Sequence, residues 1–122
     1  MPPTQSSTHS DSGPEKAVDG IRNTDLIDGV SCTHTVADSY SWWLVDLLKE
    51  YYIISERMLN RGPDRSGIDT SDRLRNVTIT TRVHPNYTSI FCGFYAGPGK
   101  PSELVRVDCP PFTRGRYVQI NL

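Results

Sequence analysis

The sequence predicts an all-β domain, an antiparallel β-sandwich or barrel. Three observations carry that expectation. Short apolar runs recur along the chain, rich in β-branched and aromatic residues and often alternating with period two. Clusters of Gly, Pro, Asn, Asp and Ser separate these runs. Almost no stretch carries apolar residues at helical spacing.

Residues 1–16 are rich in Ser, Thr and Pro and read as loop. Pro14 to Asp19 suits one helical turn, with Ser12 as its cap and Pro14 near its first position. Residues 19–35 are polar, with only Leu26 and Ile27 apolar together. Such a long loop in a compact domain usually carries function. Residues 42–48 form a dense apolar and aromatic run, a buried strand. At least one of Trp42 and Trp43 belongs to the core there. Asp46 interrupts the run and needs a partner if buried. From Tyr51 to Leu59, Tyr52, Ile54, Glu56 and Met58 alternate with Tyr51, Ile53, Ser55 and Arg57. Asn60 to Ser71 is a surface loop. Leu74 to Val83 contains the strand Val77–Thr81. Ser89 to Phe94, Leu104 to Val107 and Arg116 to Leu122 are further short strands, and Pro110-Pro111 ends one of them. The sequence has no internal repeat.

A chain of 122 residues suits one domain and can bury a real core. Its 13 basic and 14 acidic residues leave a net charge of −1, which argues against nucleic acid or an anionic membrane as the main partner. No apolar run approaches the roughly 18 residues of a spanning helix, so membrane insertion is not expected. The first seven residues lack the apolar core of a signal peptide. That leaves a cytosolic chain or one that has lost its leader, and the cysteines favour the second. Cys92 and Cys109 flank a hairpin-like segment and look like a disulfide pair, which leaves Cys32 over. The sequons Asn76-Val77-Thr78 and Asn86-Tyr87-Thr88 fit secretion.

Chemistry concentrates between residues 31 and 73. Ser31-Cys32-Thr33-His34-Thr35 precedes Ser41-Trp42-Trp43-Leu44-Val45-Asp46-Leu47, and Asn60-Arg61-Gly62-Pro63-Asp64 precedes Asp72-Arg73-Leu74. One histidine and two arginines stand at the edges of apolar runs, with Asp64 and Asp72 near enough in sequence to hold the guanidinium groups. No acid/base pair or nucleophile accompanies them. Rigid donors without a reactive group suit a ligand rich in acceptor oxygens, such as a sugar. Arg57, Arg75, Arg82 and Arg106 read as solvated strand or rim residues. A glycosidase would need two carboxylates facing one cleft. Asp64, Asp69 and Asp72 share one loop, a poor platform for that, so catalysis is not expected.

At these residues the sequence resembles the F-type lectins, or fucolectins. The shared pattern is Cys-Thr-His, then Trp-Trp-x-Val-Asp-Leu, then Asn-Arg followed by Asp, then a second Arg. The interval from His34 to Arg61 matches that family, as do Ala17-Val18-Asp19-Gly20 and Gly115-Arg116-Tyr117-Val118. The resemblance covers nearly the whole chain and narrows the fold to a discoidin-like (galactose-binding-domain-like) jelly roll with binding loops at one end. It implies one F-type lectin-like domain over residues 1–122, trimmed at both ends. The family's opening strand has no counterpart, and the cysteine that would pair with Cys32 lies past Leu122.

The resemblance implies terminal L-fucose as ligand, held by His34, Arg61 and Arg73. Leu26 and Ile27 become candidates for the sugar's methyl group, His9 for a rim contact, and Asp64 for the acidic neighbour of Arg61. Two departures stand out. Pro63 displaces that aspartate by one position, and the loop from Arg61 to Arg73 is longer and lacks the family's adjacent cysteines, leaving Ile68 as an apolar substitute. A structural Ca2+ site is implied at Asp19 and Ser31, with the carbonyls of Lys16 and Ile21, and its C-terminal ligands lie past Leu122. Fucosylated glycans or glycoproteins become the expected partners, in an extracellular setting, with roles in innate recognition or adhesion. Weak single sites imply a homo-oligomer or tandem domains. The alternative is a non-catalytic protein-interaction module on the same fold that has lost the sugar.

Overall fold

The computed structural model describes residues 3–8, 12–18, 41–63 and 66–122. Among them are strands β1 (Pro3–Gln5), β2 (Trp42–Tyr52), β3 (Ser55–Leu59), β4 (Val77–Arg82), β5 (Ile90–Tyr95), β6 (Leu104–Asp108) and β7 (Arg114–Asn121), with short 3-10 turns at Pro14–Ala17 and Ser71–Arg73. One sheet runs β1-β2-β7-β4-β5 and a second pairs β3 with β6. Every pairing is antiparallel. The expected all-β sandwich is the observed fold. No described helix is long and apolar enough to cross a membrane.

Alternation becomes packing most clearly in β4. Val77, Ile79 and Thr81 point inward and are buried, while Thr78, Thr80 and Arg82 stay half-buried. Trp43 and Val45 of β2, Val105 and Val107 of β6, Val118 of β7 and Cys92 complete the core. Trp43 also donates its indole N–H to the Pro14 carbonyl at 3.0 Å, so one tryptophan of the pair is core and Trp42 is half-buried. Asp46 finds its partner across the β2–β7 pair. Arg116 grips it with Nε at 2.8 Å and Nη2 at 3.0 Å. That bond is the main reason the Asp46 carboxyl sits below its ordinary value.

Four sequence expectations change. Residues 3–5 are not loop, because their backbone pairs with Trp43–Val45 as an edge strand. Ser12 does not cap the first 3-10 turn; Gly13 stands at that position without a side-chain cap. The alternation from Tyr51 to Leu59 hides a corner. Ile53 N–H bonds the Thr113 carbonyl at 2.7 Å, and Ile54 O accepts from Cys109 N–H at 2.9 Å, so the chain leaves one sheet and enters the other there. Arg82 is not a solvated residue. It is half-buried and donates to Gln119 Oε1 at 3.2 Å and to the Pro85 carbonyl at 3.1 Å.

The registers define two ends of the sandwich. Gln5, Trp42, Leu59, Val77 and Leu104 mark one, and Tyr52, Ser55, Arg82, Ile90 and Asp108 mark the other. The expected Cys92–Cys109 disulfide is present, tying β5 to the residue after β6 near the second end.

Candidate functional site

At the first end, Asn60 organises the backbone. It follows β3 directly and is buried. Its Nδ2 donates to the Ser71 carbonyl at 2.9 Å and to the Lys100 carbonyl at 2.9 Å. Its backbone N–H bonds the Glu103 carbonyl at 2.8 Å. One amide therefore closes the loop between Arg61 and Arg73 at its base and pins it to the turn before β6. Arg61 is held from its other side, where its carbonyl accepts from Ser102 N–H at 3.3 Å.

The turn before β6 presses close. Gly97 has φ 71°, and a Cβ there would stand 2.5 Å from the Leu74 carbonyl. A Cβ on Gly99 would meet Asn60 Nδ2 at 2.5 Å. The same turn is stiffened by Glu103, whose Oε1 accepts from Lys100 N–H at 3.0 Å and from the Tyr95 hydroxyl at 3.3 Å. Burial first, then Glu103, push the Tyr95 hydroxyl above its ordinary value.

Arg61 is half-buried, and its Nε is buried without a hydrogen-bond partner among the described residues. A desolvated cationic donor with no acceptor is costly, so this nitrogen is a group whose partner is still to be accounted for. Arg73 closes the second 3-10 turn, its N–H bonding the Thr70 carbonyl at 3.1 Å. Its side chain is exposed and has no acidic partner among the described residues. Because Asn60 joins the loop's two ends, Arg61 and Arg73 emerge from neighbouring points of the backbone.

Other expectations fare differently. Asp72 does not hold a site arginine. Its carbonyl and carboxylate face Arg75, at 2.8 Å from Nε and 3.7 Å from Nη2. The residue the sequence reading passed over is Asp69. Its carboxylate accepts the Ser71 N–H at 2.9 Å, an Asx turn legible in Asp69-Thr70-Ser71. That bond, with help from the Arg61 cation, holds the Asp69 carboxyl below its ordinary value. Ile68 is exposed. His34, Leu26, Ile27, His9 and Asp64 lie outside the described residues, as do Asp19, Ser31, Ile21 and Cys32. Lys16 lies in the first 3-10 turn, where the Gly13 and Glu15 carbonyls accept backbone hydrogen bonds and its own carbonyl accepts none among the described residues.

A cleft among the described residues lies elsewhere. It has a volume of about 600 Å³ and lies at the far end, between Tyr52, Ile54, Asp108, Pro110 and Phe112. It is largely apolar and offers few fixed donors, unlike the Asn60 end.

Comparison with known proteins gives the family. The family described as NedA-like, galactose-binding domain matches residues 16–120. Fucolectin-1 of Anguilla japonica is 34% identical over 124 residues, spanning 98% of this chain and 67% of its own length. A fucolectin from striped bass (Morone saxatilis) serum superimposes with TM-score 0.83 at 30% identity, covering 99% of this chain and 41% of the other. A fucose binding module of Streptococcus pneumoniae gives TM-score 0.80 at 31% identity, covering 100% and 79%.

Proposed function

Because the chain belongs to the F-type lectin family of galactose-binding-like domains, we propose that it is a non-catalytic lectin for terminal L-fucose. The single observation that carries this reading is the Asn60 knot, which brings Arg61 and Arg73 out of adjoining backbone positions and leaves Arg61 Nε without a partner among the described residues. Two guanidinium groups offer charged donors in fixed forks, suited to vicinal sugar hydroxyls. His34, which precedes β2 in the sequence, would supply the third donor. Leu26 and Ile27 would serve the sugar's methyl group, and His9 and Asp64 would serve as rim contacts. Asp69 adds a negative charge near the Arg61 guanidinium.

Calcium would be held by Asp19, Ser31 and the carbonyls of Lys16 and Ile21. It would brace the loop that carries His34. The disulfide and the family fit an extracellular setting. Weak single sites gain strength from several copies displayed together, so fucosylated glycoproteins and oligomeric or tandem display follow.

A glycan array on wild type, Arg61→Ala, Arg73→Ala and His34→Ala tests the reading. Fucose-terminated glycans should dominate in wild type. Each variant should lose tenfold or more, since a charged hydrogen bond contributes about 1.5–3 kcal/mol. An array without fucose preference would return the chain to the protein-interaction alternative.

A further inference from the structure

Two Asn-x-Thr sequons stand at opposite ends of the sandwich, in contrasting surroundings. Asn76 precedes β4 at the Arg61 end, with φ 53° and its N–H bonded to the Ala96 carbonyl at 3.1 Å. Its middle residue, Val77, is wholly buried, and Thr78 pairs with both Phe94 and Asn121. That sequon is built into the sheet.

Asn86-Tyr87-Thr88 is different. It forms the turn between β4 and β5 at the far end, and all three residues are exposed. The turn is held by Tyr87 N–H to the His84 carbonyl at 3.0 Å and by Arg82 Nη1 to the Pro85 carbonyl at 3.1 Å. Neither bond uses the Asn86 side chain. Tyr87 also rests against the His84 ring, centroids 5.2 Å apart.

The strand beyond this turn gives the sequon a purpose. β5 is the last strand of the large sheet. Along it, and just before it, Tyr87 is 63% exposed, Ile90 43% and Phe91 56%. An exposed terminal strand with apolar side chains is a template for unwanted pairing, and folded proteins cover or charge such edges. Here β5 carries no charged residue. A bulky, water-loving glycan beside it would cover it.

We propose that Asn86 accepts an N-linked glycan, which shields the Tyr87–Phe91 edge. The inference rests on the extracellular reading, since the donor is a lipid-linked oligosaccharide diphosphate of the secretory pathway. In that transfer the Asn86 Nδ2 forms a bond to the sugar's C1. The C1–O bond to the diphosphate breaks, its electron pair leaves with the diphosphate, and one amide proton goes to base. The glycan would sit at the end away from Arg61 and leave the sugar site open.

The test is expression of the full chain behind a heterologous leader in eukaryotic secretory cells, with peptide mass mapping before and after peptide-N-glycosidase. Wild type, Asn86→Gln, Thr88→Ala and Asn76→Gln are compared. The Asn86 peptide should carry a glycan in wild type and Asn76→Gln, and lose it in both Asn86→Gln and Thr88→Ala. The two unglycosylated variants should keep wild-type fucose binding while aggregating at lower concentration and binding more of an apolar-surface dye. An unmodified Asn86 in material whose Cys92–Cys109 bridge has formed overturns the site, and leaves the extracellular reading standing. A modified Asn86 whose loss changes neither aggregation nor dye binding overturns the shielding role.

Discussion

The two ends of this sandwich are fixed by different means. At the Arg61 end, the loops are wired by polar groups: Asn60 to Ser71 and Lys100, and Glu103 to Lys100 and Tyr95. At the far end, a disulfide joins the sheets, Arg114 pairs with Glu50, and the surface between is apolar, with Ile54 and Phe112 strongly exposed. Phe112 also holds φ 64°, a left-handed conformation costly for an aromatic residue. The far end has an apolar cavity, and the Arg61 end has the polar-wired loops that carry two arginines. Cavity size follows from how strands splay. The proposed recognition of a hydroxyl-rich ligand rests on donors whose backbone is pinned and which have no acceptor among the described residues.

Removing the covalent staple should give the largest change. The double variant Cys92→Ser/Cys109→Ser opens a constraint between positions 17 apart in sequence. It should cost about 2–5 kcal/mol in chemical denaturation, mainly by freeing the unfolded chain. Fucose affinity per folded molecule should stay as in wild type, because the staple sits near the other end. A parallel loss of affinity would show that the ends are not independent.

The reverse experiment acts on Asn60. Asn60→Ala removes two hydrogen bonds of a buried amide and leaves the Ser71 and Lys100 carbonyls with only their longer backbone bonds, from Leu74 N–H at 3.3 Å and Glu103 N–H at 3.2 Å. A stability loss of about 2–3 kcal/mol is expected, less than for the disulfide. Fucose affinity, however, should fall tenfold or more even where the protein is fully folded, because Arg61 and Arg73 lose their common anchor. Titration calorimetry at low temperature separates the two effects. Unchanged affinity would break the link between the knot and the site.

Much of the fold was legible because β4, β6 and the start of β2 alternate or run apolar, and burial follows period two. Pro3–Gln5 was not legible. Its residues have no apolar pattern, and only the open edge of β2 makes them a strand. The corner at Ile53–Ile54 was hidden because backbone bonds to residues 109 and 113 make it, and the side-chain pattern runs through unbroken. At the site, Arg61 and Arg73 were marked by their motif. The role of Asn60 was not, since its acceptors lie 11 and 40 residues away. Asp72 misled for a local reason: Arg75, three positions on and just past the 3-10 turn, reaches it first.

Between the two ends, Glu56 offers the smallest and most selective probe. It lies on β3 on the same side as Met58, which packs against the core, and no hydrogen bond holds it among the described residues. Burial pushes its carboxyl from 4.5 up to about 7. The raised value means the folded state binds the proton more tightly than the unfolded state does. Its contribution is therefore most favourable at low pH and is lost as pH rises from about 4.5 to about 7. Asp46 works in the other direction, because Arg116 lowers its carboxyl and that stabilisation disappears only as pH falls below the ordinary carboxylate range. The two groups therefore act on stability in opposite pH ranges, Glu56 above its ordinary value and Asp46 below its own. Glu56→Gln should remove the upper slope and gain on the order of 1–2 kcal/mol at about pH 8, with little change at about pH 4. Denaturation midpoints across that range check it, and parallel curves for the two proteins would refute it. Since Glu56 touches neither the Asn60 knot nor the arginines, the pH dependence of fucose binding should be the same in both.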